Sequence, residues 1–77
     1  MTSVYSHEYK EFLEKLKKAR QEAGLTQLQA AEAVGRPQSF ISKCESGERR
    51  VDIIELAFFS RLYSKPLTYF IADDGEL

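Results

Sequence analysis

Residues Leu25 to Gly47 read LTQLQAAEAVGRPQSFISKCESG, and the punctuation of this stretch decides the fold. Thr26 is followed three residues later by Gln29, the spacing of a capping box, so a helix is predicted over about 27–34. Leu28, Ala31 and Val34 fall at i, i+3 and i+6 and give that helix one apolar face. Gly35 stands where a helix end needs a residue tolerant of positive φ. Pro37 cannot continue the first helix but suits the first turn of the next, predicted over about 38–46. Ile41 and Cys44 supply the buried face of this second helix, and Gly47 ends it. Gln38, Ser39 and Lys43 are left pointing outward.

Two short helices joined by about three or four residues, with a glycine in the turn, make a helix-turn-helix, whose second helix can enter the DNA major groove. The slightly longer run GLTQLQAAEAVGRPQSFISKCESGERR, Gly24 to Arg50, resembles the phage-repressor or Cro-type (XRE-type) helix-turn-helix family. The family pattern has Leu-Thr-Gln at the start of the first helix of the pair, here Leu25-Thr26-Gln27, Ala near its centre and Gly in the turn, here Gly35. Gln38-Ser39, Ile41-Ser42-Lys43 and Glu45-x-Gly47 complete it. The resemblance covers roughly residues 9 to 72. The chain departs from the pattern at Cys44, where the family usually carries a larger residue, and in its acidic pI of about 5.8.

Outward from this stretch, Tyr9, Phe12, Leu13, Leu16, Ala19 and Ala23 recur at helical spacing and predict a helix over about 6–23. Ser6 is its expected N-cap, Glu8 and Glu11 suit its positive end, and Gly24 ends it. Asp52 is the expected N-cap of a helix over 53–63, with Ile53, Leu56, Phe59 and Leu62 in its apolar set. Ser64-Lys65-Pro66 breaks it, and Pro66 opens a short helix to about residue 72. Residues 73–77 are expected to fray. The expected fold is all-α, a compact five-helix domain of the phage-repressor type, one domain over 1–77 with its core in about 6–72.

A chain of 77 residues buries only about 60% of the surface its unfolded form exposes, so oligomerisation is a natural source of added stability. One cysteine excludes an internal disulfide and fits a reducing compartment. No apolar core of a signal peptide is seen near Met1, and the longest apolar run, Leu56 to Phe59, is far too short to span a membrane, so a cytoplasmic location is expected. The net charge of −1 is unevenly placed. Residues 1–51 carry nine basic and seven acidic side chains, or +2; residues 52–77 carry two and five, or −3. The central helix pair is therefore the mildly basic part, with modest non-specific affinity for a duplex expected.

The resemblance implies double-stranded DNA as partner and assigns candidate contacts. Gln27, at the start of a helix, would meet phosphate, against the alternative that it decorates an ordinary helix start. Gln38 would pair with a base edge, adenine N6 and N7 being the matching bidentate partner; the alternative is a solvated helix start. Ser39 can contact several base edges, and Lys43 either guanine O6/N7 or phosphate. Phe40 lies off the Ile41/Cys44 face, which leaves packing on Pro37 and contact with a thymine methyl or sugar both open. Arg36, Ser46, Arg49 and Arg50 flank the helix and suit phosphates, or form a solvated charged face. The resemblance further implies an ion pair between Arg20 and Glu45. Cys44 is expected to act as a small buried apolar group, and His7 stands alone, so no metal site is expected.

Nothing in the chain carries catalysis. It has no glycine-rich phosphate loop, nucleophile elbow, metal-ligand cluster or carboxylate pair in a pocket, so neither enzyme activity, cofactor nor small-molecule substrate is expected. The sequence points to a transcriptional regulator, with a protein-interaction module on the same fold, antitoxin-like or adaptor, as the alternative. A homodimer through the helices over 53–63 and 66–72 is expected, because that short segment holds an excess of Ile, Leu, Phe and Tyr, and the side chains of adjacent Phe58 and Phe59 diverge by roughly 100°.

Overall fold

The computed structural model describes residues 6–71. They form five helices: α1 His7–Glu22, α2 Gln27–Val34, α3 Gln38–Ser46, α4 Ile53–Tyr63 and α5 Leu67–Ile71, with no strand among them. Several boundaries have a local cause. Ser6 accepts a hydrogen bond from the Tyr9 N–H at 3.1 Å and starts α1. Thr26 and Gln29 form a complete capping box on α2, with side chain to backbone bonds of 3.0 and 2.9 Å. Asp52 and Glu55 form a second box on α4. Gly35, at φ 72°, and Gly47, at φ 88°, end α2 and α3 in the left-handed region, where a Cβ is strained.

α1 is the spine of the domain. It packs on α3, α4 and α5, while α2 packs on α3 and α4. The core joins Phe12, Leu16 and Ala19 of α1, Ala30 and Ala31 of α2, Ile41 and Cys44 of α3, Leu56, Phe59 and Tyr63 of α4, and Phe70 of α5. Phe12 meets Phe70 edge-on at 6.3 Å, and Phe59 stacks with Tyr63 at 5.6 Å. The adjacent alanines of α2 leave room for its backbone to approach α3.

Several sequence expectations are corrected here. Leu28 is 51% exposed. At 3.6 residues per turn the α2 face set by Ala30, Ala31 and Val34 turns Leu28 roughly 110° away. Ile53 is exposed and Tyr63 buried on α4, because the buried face runs through Leu56, Phe59 and Tyr63 at i, i+3 and i+7. Ala23 is exposed as the C-cap of α1. Pro37 occupies the N-cap of α3 rather than its first turn, at φ −64° and ψ 157°, and its carbonyl accepts from the Phe40 N–H at 2.9 Å. Pro66 likewise precedes α5, accepting from Tyr69 N–H at 2.9 Å. The fraying expected over 73–77 and the end of α5 at residue 72 lie outside the described residues.

Candidate nucleic-acid interface

The centre of the site is a buried ion pair whose reach extends to the surface. Arg20, near the end of α1, is 7% exposed. Its Nε donates to Glu45 Oε2 at 2.6 Å and its Nη2 to Glu45 Oε1 at 3.1 Å, a bidentate pairing between α1 and α3. Its Nη1 donates to the Leu25 carbonyl at 2.8 Å, which fixes the chain just before α2. The hydrogen bond to Glu45 outweighs burial and holds the Arg20 guanidinium above its ordinary pKa. The pair expected from the resemblance is thus present.

Glu45 has a third partner that the sequence did not reveal. Gln27 Nε2 donates to Glu45 Oε1 at 3.1 Å. This turns the Gln27 amide so that its oxygen accepts from Gln38 Nε2 at 3.4 Å. Arg20, Glu45, Gln27 and Gln38 therefore form one chain of hydrogen bonds, running from the core to the first residue of α3. Gln38 is exposed, and the bond spends one of its two amide hydrogens, so the other hydrogen and the carbonyl oxygen stay available. Such a group can recognise a partner that offers an acceptor and a donor side by side.

Ser39 and Lys43 are exposed on the same helix, and among the described residues neither side chain has a hydrogen-bond or ion-pair partner. Ser46 is committed to the end of α3: its Oγ donates to the Lys43 carbonyl and accepts from the Glu48 N–H, both at 3.2 Å.

Phe40 is half-buried and stacks on Phe59 of α4 at 6.2 Å, a packing partner that the sequence did not reveal. Two guanidiniums lie over its ring, Arg36 at 4.6 Å and Arg49 at 4.8 Å from the centroid. Arg49 Nη1 also donates to Glu55 Oε1 at 2.8 Å and to the Arg50 carbonyl at 3.2 Å. The bond to Glu55 raises the Arg49 pKa and lowers that of Glu55. Arg50 is exposed with its guanidinium 4.4 Å over the Tyr9 ring, and the Tyr9 hydroxyl accepts from Val51 N–H at 3.1 Å. Glu55 and Tyr9 are therefore parts of the site that sequence reasoning missed. The Asp52-x-x-Glu55 capping spacing could have marked Glu55; Tyr9 is 41 residues from Arg50 and carried no local signal.

The structure thus gathers Gln27, Arg36, Gln38, Ser39, Lys43, Arg49 and Arg50 around α2, α3 and the loops at either end of α3. Cys44 is fully buried beneath them, and burial pushes its thiol pKa up, away from the reactive thiolate. Among the described residues no group of His, Cys, Asp and Glu is placed to hold a metal ion, and no helix is long and apolar enough to cross a membrane. In comparisons with known proteins, the sequence model of a family described as helix-turn-helix matches residues 16–70. No curated protein matches the chain.

Proposed function

The chain belongs to the Cro/C1-type, XRE-like helix-turn-helix family of DNA-binding transcriptional regulators, and from that premise we propose that it binds specific double-stranded DNA sequences as a homodimer. α3 lies in the major groove, and α2 crosses the backbone above it. The observation that carries this reading is the outward face of α3. The Gln38 amide donates to Gln27, which is itself anchored on Glu45, with Ser39 and Lys43 exposed beside it. An amide biased in this way, with one N–H and its oxygen still available, matches adenine N7 and N6. Lys43 donates to a base edge or to phosphate, and Gln27, Arg36, Arg49 and Arg50 set register on the phosphates, whereas the Ser46 hydroxyl, already spent on the Lys43 carbonyl, has no donor left for one. Lone, buried Cys44 fits action in the reducing cytoplasm.

The dimer rests on a separate observation. Ile54 is 74% and Phe58 44% exposed, and one turn apart they occupy the face of α4 opposite the core. Leu67 and Ile71 of α5 are exposed as well. Two-fold pairing through these helices would set two copies of α3 about one DNA turn apart, roughly 34 Å. The same exposed residues favour the alternative, a module that docks another protein. Selection from a random duplex library separates the two. Enrichment of a two-part site with related halves about one turn apart supports the regulator. Absence of duplex binding even at low salt leaves the docking module.

A further inference from the structure

We propose that Phe40 is a positioning residue that holds the guanidiniums of Arg36 and Arg49 in place for the DNA backbone. It does not itself read a base. This rests on the DNA reading given above. Arg36 precedes α3 and Arg49 follows it, yet both guanidiniums lie over the one ring, at 4.6 and 4.8 Å from its centroid. The ring cannot move freely to a ligand, because it stacks on Phe59 of the core at 6.2 Å and an interplanar angle of 26°. Its face carries partial negative charge, which attracts a cation at this range.

Two like charges converging on one ring repel each other. Glu55 offsets this by accepting from Arg49 Nη1 at 2.8 Å, and Arg36 also lowers its pKa by direct charge interaction. Phe40, Glu55 and the two arginines form a cluster of net charge +1 whose geometry exists before any ligand arrives. Arg49 Nη1 serves Glu55 and the Arg50 carbonyl and the guanidinium also bonds the Cys44 thiol, which leaves part of its five donors for an anion. Arranging two long side chains beforehand removes part of the entropy cost of phosphate binding. The position of Phe40, one helix residue off the Ile41/Cys44 face, follows from this role: half of it packs and half supports charge.

Phe40→Leu keeps apolar volume against Phe59 and removes the aromatic face. The wild type, F40L, R36A and the double variant are titrated with a selected duplex and a scrambled one over a range of salt. Thermal melts, and NMR of the arginine Hε resonances in the free protein, accompany the titrations. The expected result is a folded F40L domain that loses the ring-current shift of both arginines. It binds both duplexes about three- to tenfold more weakly, the range that one or two exposed cation–π contacts support. R36A then costs less in the F40L background than in the wild type. Additive losses overturn the proposal, since the ring would then act only by packing. A loss confined to the selected duplex overturns it in favour of direct base contact. An unfolded F40L is replaced by Phe40→Met under the same criteria. A wild type that binds neither duplex overturns the DNA reading itself, a result distinct from all of these.

Discussion

Glu45 is the residue on which the site turns. One carboxylate accepts from two nitrogens of Arg20 and from Gln27, and it is almost wholly buried. Removing it leaves the Arg20 guanidinium in the core without its counter-charge. The cost of stranding one partner of a buried pair is about 3–5 kcal/mol. A small domain has about 5–15 kcal/mol of stability in all. Glu45→Ala is therefore expected to melt far below the wild type or not to fold at all, as followed by circular dichroism. A shift of only a few degrees would show that the pair contributes little. Glu45→Gln is milder, because its amide oxygen can still accept from Arg20.

Glu55 serves two elements at once. It completes the capping box of α4, accepting from the Asp52 N–H at 3.1 Å, and it holds the loop after α3 through Arg49 at 2.8 Å. The Arg49 hydrogen bond, opposed by partial burial, sets its pKa below the ordinary carboxylate value of 4.5. A carboxylate depressed on folding contributes stability that is complete above its unfolded pKa and is lost as pH falls through the folded one. Melting temperature should thus begin to drop as pH falls below about 4.5, and Glu55→Gln should flatten this acid limb. An unchanged limb would contradict the assignment. Elements of this kind were largely legible in the sequence. Thr26-x-x-Gln29, Gly35, Gly47 and Asp52 are local signals, each acting within a few residues, and they placed the helix ends. What the sequence left open was non-local. The roles of Gln27 and Phe40 depend on side chains brought together by packing, Glu45 and Phe59, which lie 18 and 19 residues away. Leu28 and Ile53 are exposed despite their apolar spacing, because spacing alone does not say where a helix face is centred; neighbouring helices do.

The whole molecule has two faces with different work to do. The α2–α3 side carries the exposed polar and basic groups, while α4 and α5 expose Ile53, Ile54, Phe58, Leu67 and Ile71. A domain this small can bury only part of its apolar surface alone, and pairing would cover more. Light scattering at micromolar concentration is expected to give about twice the 8.8 kDa of the chain, and Ile54→Glu with Phe58→Glu to return it to the single mass without unfolding. A stable single mass for the wild type across dilution would remove the dimer and with it the paired half-sites. The fold class itself, an all-helical domain of this family, does not depend on that outcome.

The claim on which the account stands is that the face of α3 reads sequence through Gln38. The direct test is the affinity of the wild type and of Gln38→Ala for a selected duplex and a scrambled one at fixed salt. Loss of a base-edge pair is expected to cost about 1–3 kcal/mol on the selected duplex, and to relax preference at one base pair. Affinity for the scrambled duplex should stay as in the wild type. Equal weakening on both duplexes would contradict the account, because it would make Gln38 a backbone contact.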